Sequence, residues 1–370
     1  MVNQDRLVGE FLRLIQIDSP SKGERRVADY LKARLTELGF EVEEDQAGKQ
    51  FGGDAGNLIA RLDGNGTPRL MFCAHMDTVQ PGEGIVPRLK HGVITSAGET
   101  ILGGDDKAGI CAILEAMQVL REKHLPQPGL VIVFTVAEEG GLRGAKALDV
   151  AALGAEMGFC LDAGGPVGTV VNRGPAQDQF TAVISGRAAH AGISPEDGIS
   201  AIQVAAEAIM RTRLGRIDPE TTANIGLISG GQATNIVPEK VELKGEARSL
   251  DEDKLAKQTR HMRETLEEVS RKRGAKLTMD WVHSYPALNL PEESPVIQLA
   301  VKAFQRLGIV SRVSQTGGGS DANIFNSKGL PTANLGIGME KVHSCEEFIR
   351  VKDMVDMARF LLQVVELAIQ

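Results

Sequence analysis

LMFCAH at 70–75, DKAGICAILEAMQVLREK at 106–123 and LVIVFTV at 130–136 decide the fold class. Two short apolar runs, neither alternating with polar residues, flank a long segment whose apolar positions return every three or four residues. Unbroken apolar runs of that length predict strands buried on both faces, and the segment between them predicts a helix crossing over the sheet. Working outward, the rhythm repeats. Amphipathic helices are expected near 3–17 and 24–38, ahead of strand-like EVEE (41–44) and NLIARL (57–62). A short helical stretch, RGAKALD (143–149), and a further strand, MGFCLD (157–162), follow. The fold class is therefore α/β: a mixed sheet, substantially parallel, covered by helices on both faces.

Near residue 175 the pattern changes. FTAVISGRA (180–188) alternates as a half-buried strand does, and SPEDGISAIQVAAEAIMRTR (194–213) predicts a helix. TTANIGLISGG (221–231) and VELKGEARSL (241–250) predict strands, and 251–274 a helix with an acidic start and a glycine stop. AKLTMDWVHSY (275–285) closes the segment as a strand. This β-α-β-β-α-β order is that of a ferredoxin-like sandwich. After Pro286 helices and strands alternate again. The expected organisation is one α/β domain, 1–176 and 287–370, interrupted by an α+β insert at 177–286.

The bulk properties exclude several classes. A net charge of −8, with no basic stripe to offset it, argues against a nucleic-acid partner. Aromatic residues make up 4% of the chain, too few for base- or sugar-stacking platforms. The opening helix carries Asp5, Arg6, Glu10 and Arg13 and so lacks the apolar core of a secretion signal. No window approaches the roughly 18 apolar residues of a membrane span. Cys73, Cys111, Cys160 and Cys345 are scattered without a CxxC pair. A cytoplasmic protein without a membrane partner is expected.

The chemistry gathers at strand ends. LMFCAHMDTV delivers His75 and Asp77 two positions apart, on one face if the strand persists. GGDDK brings Asp105 and Asp106, FTVAEEG brings Glu138 and Glu139, and FCLDAGG brings Asp162. Any one of these acids alone reads as a helix cap or a solvated loop end. Together, at the carboxyl ends of strands in an open α/β sheet, they converge on one crevice. Such a crowd of carboxylates calls for a divalent cation. Imidazole and carboxylate without thiolate suit zinc, with manganese or cobalt as alternatives. Of Glu138 and Glu139, one can hold metal while the other serves as general base.

HMD (75–77), GGDDKAG (103–109), AEEGGLRGA (137–145), LDAGG (161–165) and VHSCEEF (342–348) resemble the co-catalytic zinc peptidase family of tripeptide aminopeptidase (peptidase T), aminoacylases and bacterial glutamate carboxypeptidase. GGDDKAG is most similar to the peptidase T branch. The resemblance spans nearly the whole chain and implies two Zn2+ ions per subunit. His75 and Asp162 would hold one, Glu139 and His343 the other, and Asp105 would bridge them. Asp77 would stand behind His75 and fix its ring, and Glu138 would be the general base. Asp105 rather than Asp106 matches the ligand position, and Lys107 is expected to be structural.

In the insert, RAAHAGISPEDG (187–198) resembles the family's lid segment, which makes His190 the candidate for oxyanion stabilisation. Asn235 and Arg248 match substrate-gripping positions, and GGGSDANIF (317–325) a substrate-facing loop containing Gly318 and Gly319. Asp321 would then be a helix-start acid. Family likeness also makes the ferredoxin-like insert a lid and dimerisation domain of a homodimer. His91, His124, His261 and His283 are expected to be structural or exposed, and Cys345 is not expected to be a ligand. The implied activity is hydrolysis of an amide bond near one end of a short peptide, with a tripeptidase-like aminopeptidase ahead of a carboxypeptidase or aminoacylase. An inactive metal-binding scaffold would have lost the base or a ligand, yet Glu138 and the five ligand candidates are all present.

Overall fold

The computed structural model describes residues 1–66 and 68–370. Along the chain, α1 (Gln4–Leu14) and α2 (Arg25–Glu37) precede β1 (Glu41–Glu44), β2 (Leu58–Leu62) and β3 (Leu70–His75). A hairpin of β4 (Pro87–Lys90) and β5 (Val93–Ser96) leads to α3 (Gly104–Lys123). Then come β6 (Leu130–Thr135), α4 (Arg143–Ala147), β7 (Met157–Ala163) and β8 (Thr169–Gly174). The central insert holds β9 (Ala176–Ser185), α5 (Ala201–Arg211), β10 (Gly215–Arg216), β11 (Thr221–Gly230), β12 (Lys240–Ser249), α6 (Glu252–Lys272), β13 (Lys276–Tyr285) and β14 (Leu288–Asn289). The chain finishes with α7 (Pro295–Arg306), β15 (Arg312–Gln315), α8 (Asp321–Ser327), β16 (Thr332–Gly336), β17 (Phe348–Arg350) and α9 (Val351–Ala368).

Two compact units result: residues 1–173, 290–315 and 320–370 form one, and 174–289 with 316–319 the other. In the larger unit the sheet runs β1-β2-β6-β3-β7-β16-β8. β3 is parallel to β6 and β7, and β7 to β16, whereas β2 is antiparallel to β6 and β16 to β8. Every residue of β3 and β6 is buried, as their unbroken apolar runs require. Helices cover the sheet through an aromatic layer in which Phe304 stacks on Phe360 at 4.1 Å and Phe360 meets Phe159 edge-on. α1 turns Leu7, Phe11 and Leu14 inward, a spacing of four and three residues that places them on one stripe. The two expected helices over 3–17 and 24–38 form, the first shorter by three residues at its end.

The smaller unit is an antiparallel sheet ordered β10-β11-β12-β9-β13. α5 and α6 bury Val204, Ala208, Leu255, Met262 and Leu266 against Phe180, Ile184 and Leu243. One expectation fails in detail: the helix sought over 194–213 is a 3-10 turn at Pro195–Asp197 followed by α5 from Ala201. Ile199 is held extended in a bridge to Arg187, and the Ser200 side chain caps α5 by accepting the N–H of Gln203 at 3.3 Å. Among the described residues no helix is long and apolar enough to cross a membrane.

Candidate functional site

The apolar strands of the larger unit end together, and their polar termini meet. β3 ends at His75, β6 runs into Ala137–Glu139, β7 carries Asp162, and α3 opens on Asp105 and Asp106. Ligands in open α/β sheets bind beyond these carboxyl ends. The Asp105–Asp106 peptide bond is cis, and regular helix begins only after Asp106. His343 comes from the loop ahead of β17 with a left-handed backbone (φ 62°) and a half-exposed ring.

His75 Nε2 lies 3.2 Å from Asp105 Oδ1 and 3.8 Å from Asp162 Oδ1. The other oxygen of Asp105 lies 3.3 Å from His343 Nε2, which is 2.7 Å from Glu139 Oε1. One carboxylate thus spans two imidazoles. Among the described residues, three overlapping triads have ligand atoms close enough to share a cation: His75–Asp105–Asp162, Asp105–Glu139–His343 and His75–Glu138–Glu139. The donors are imidazole nitrogens and carboxylate oxygens, and the nearby thiol of Cys345 instead donates to the Glu99 carbonyl at 3.2 Å. That set fits zinc, manganese or cobalt.

The protonation of the cluster follows from its crowding. Burial pushes Glu138 well above the usual carboxylate range, and the charges of Asp321, Glu139 and Asp77 push the same way. Burial also raises Asp162, reinforced by Glu138 and Asp105. Burial would raise Asp105 too, but hydrogen bonds to His343 and His75 outweigh it and hold this acid far below its ordinary value. For His75 the lowering effect of burial is outweighed by Asp105, Asp77 and Glu138. His343, bonded to Asp105 and Glu139, is raised to about 10. Buried like charges at such density are unfavourable unless neutralised, and cations on these donors would neutralise them.

The second tier of contacts is more specific than the sequence suggested. His75 Nδ1 lies 2.9 Å from the backbone carbonyl of Asp77 and 3.6 Å from its carboxylate. The Asp77 carboxylate accepts the N–H groups of Glu138 (2.9 Å) and Glu139 (3.2 Å) and the hydroxyl of Ser21 (2.5 Å). Asp77 therefore holds the turn that presents both glutamates. Asp106 accepts the N–H of His75 at 3.2 Å, and Lys107, wholly buried, donates to the Ile17 carbonyl at 2.8 Å. Asp321 is the first residue of α8, but it is buried and accepts the Thr135 hydroxyl at 2.6 Å.

Three supporting residues escaped the sequence reading. Glu24 accepts the N–H groups of Lys22 and Ala137. Asn57 bonds Asp45, Gly144 and Val136, fixing the end of β6. Glu347 accepts three backbone N–H groups of the Leu102–Asp105 turn. The doubled acid Glu346–Glu347, ending a His-containing motif before an apolar residue, was the available signal for the last of these.

The remaining candidates lie in the smaller unit. His190 is exposed, bridges to Ile236, and its Nδ1 accepts the Gly192 N–H at 3.2 Å. Asn235 is its neighbour through an Ala191 N–H to Asn235 carbonyl bond of 3.0 Å. Arg248 forks onto Glu246 at 2.9 and 3.1 Å and donates to the Gly317 carbonyl at 3.4 Å. Gly318 donates to Thr316, and Gly319 lies against the Tyr285 ring. His261 accepts the Arg213 N–H, His283 pairs with Asp178, and His91 and His124 sit at turns with left-handed backbone.

Comparison with known proteins agrees with this architecture. A family model described as peptidase family M20/M25/M40 matches residues 71–367. The YqjE protein of Bacillus subtilis is 42% identical over 367 residues, 99% of each chain. The crystal structure of aminopeptidase PepT from Bacillus cereus is 42% identical, with a TM-score of 0.91 and full coverage of both chains. A tripeptidase from Staphylococcus aureus is 40% identical, with a TM-score of 0.96 and full coverage of both. The chain belongs to peptidase family M20/M25/M40, and within it is similar to the peptidase T type.

Proposed function

We propose that this protein is a metal-dependent exopeptidase that removes the amino-terminal residue from tripeptides or similar short peptides in the cytoplasm. The observation that carries the reading is the Asp105 carboxylate lying between two imidazoles, with the buried Glu138 beside them. His75 and Asp162 would hold one Zn2+, Glu139 and His343 the other, and Asp105 both; Mn2+ or Co2+ suit the same donors. When bound, the cations supply charge that acidifies water and polarises a carbonyl. Glu138 takes the proton of the attacking water and returns it to the leaving amine. Asp77 keeps that carboxyl aimed by holding the N–H groups of both glutamates.

His190 donates to the substrate carbonyl oxygen as charge develops on it, an effect typically worth about 3 kcal/mol. Asn235, Arg248 and the Gly318–Gly319 loop grip the peptide. The insert, 177–286, serves as lid and dimerisation domain of a homodimer whose catalytic domain is 1–176 with 287–370. Two relatives at 40% identity or more, an aminopeptidase PepT and a tripeptidase, support the amino-terminal reading.

The test is hydrolysis of free, N-acetylated and C-amidated tripeptides and dipeptides by zinc-loaded and chelator-treated protein. Cleavage that needs metal and is lost on N-acetylation is expected. Cleavage that survives acetylation but is lost on amidation would replace this reading with a carboxypeptidase or aminoacylase. Metal uptake without any cleavage would leave the scaffold alternative.

A further inference from the structure

Glu347 lies four residues beyond His343 and has no place in the proposed chemistry, yet it is among the most constrained side chains of the larger unit. It is 1% exposed. Its Oε2 accepts the N–H groups of Leu102 at 2.8 Å and Gly103 at 2.9 Å, and its Oε1 accepts that of Asp105 at 3.1 Å. These donors form the turn whose last residue is the carboxylate between the two imidazoles. The approach is close: a Cβ on Gly104 would stand 3.0 Å from Glu347 Oε1. On its own side, Glu347 is tied to the His343 loop by an N–H to Ser344 carbonyl bond of 3.1 Å, and Phe348 then enters β17.

We infer that Glu347 is a positioning residue that fixes the spacing of Asp105 and His343, and so sets the affinity of the cation that these two share with Glu139. The inference rests on the dinuclear reading proposed above. Its logic is geometric. The two ligands come from segments about 240 residues apart in the chain, and this one carboxylate joins them through three charge-assisted bonds. Both oxygens are in use, so an amide cannot replace the acid. In Glu347→Gln a single oxygen remains, and an NH2 group must face either the Asp105 N–H or the Leu102–Gly103 pair. Residues that orient metal ligands typically change affinity by about 10–100-fold when altered.

The test is titration of metal-free protein with Co2+, read by visible absorption and by equilibrium dialysis. The fold is checked by the thermal midpoint of the metal-free form. Wild type is expected to take two equivalents. Because Asp105 serves both ions and His343 only one, Glu347→Gln should weaken one equivalent by about 10–100-fold and the other by less, with amide hydrogen exchange accelerated at Leu102, Gly103 and Asp105. Should Glu347→Gln fail to fold, Gly104→Ala makes the milder perturbation, crowding Oε1 without removing the charge, and the same selective loss is expected. Two equivalents bound as in wild type by the folded variant would overturn the inference. So would equal weakening of both ions in step with a lowered thermal midpoint, which marks a merely structural role. Wild type that binds fewer than two ions would instead refute the dinuclear reading, and the inference would fall with it.

Discussion

Replacing Glu24 with glutamine should make the protein more stable at neutral pH and leave it little changed in acid. Glu24 is fully buried; its Oε1 accepts the N–H groups of Lys22 and Ala137 at 2.9 Å each, while its Oε2 has no hydrogen-bond partner. Burial, then the charge of Asp77, lift its carboxyl from 4.5 to about 7, although backbone N–H groups pull the other way. Between those two values the folded state binds the proton that the unfolded state has released. Stability therefore falls as pH rises through this window and levels off above it. At about 1.36 kcal/mol per pH unit the loss is roughly 3 kcal/mol. Glutamine removes the ionisation but keeps the geometry, because both bonds go to one oxygen and the NH2 takes the position without a partner. Urea unfolding of chelator-treated wild type and Glu24→Gln from pH 4.5 to 8 reads the difference directly. The gap should widen in favour of the variant by about 3 kcal/mol and flatten above pH 7. A gap that does not change with pH would refute the reasoning.

Glu138→Gln should lower kcat by about 10²–10⁴ while metal analysis still finds both ions; undiminished turnover would remove Glu138 from the base role. Gly109→Ala would bring a Cβ within 2.3 Å of Asp106 Oδ1 and 2.8 Å of the Leu161 carbonyl. A loss of about 1–3 kcal/mol is expected in urea unfolding, and a wild-type midpoint would show that α3 can shift away. Thr135→Val removes the 2.6 Å hydroxyl donor to buried Asp321. It should cost about 1–3 kcal/mol, and an unchanged midpoint would mean that Asp321 finds another donor.

The sequence exposed some of this and hid the rest for physical reasons. LMFCAH and LVIVFTV were legible because a strand buried on both faces must be apolar throughout, and both are buried throughout. His75, Glu138, Glu139 and Asp162 were legible because polar residues interrupt apolar runs at strand ends; the choice of Asp105 over Asp106, and His343, needed the family resemblance. Glu347, Glu24 and Asn57 were not, because each serves by receiving backbone N–H groups. Such bonds leave no spacing signature, and in Glu347 the partners are more than 240 residues away. The β4–β5 hairpin was missed because β4 is mostly exposed and β5, apart from buried Ile94, is half-buried, so the pair carries no clear apolar alternation. Nor does anything in the glycine run announce that residues 316–319 belong with the insert while their neighbours return to the larger unit.

The position of β16 has a consequence for how the chain is made. It fills the gap between β7 and β8, two strands synthesised some 160 residues earlier. Until residue 336 has been translated, both of those strands present an open edge of unpaired N–H and carbonyl groups. The five-stranded sheet of the insert faces no such wait: its first strand in the chain, β9, pairs with its last, β13, so it closes within its own stretch of chain. Synthesis should therefore yield a finished small unit hanging from a large one still missing a middle strand. During that interval the nascent protein is most exposed to aggregation, and folding of the larger unit is a late event.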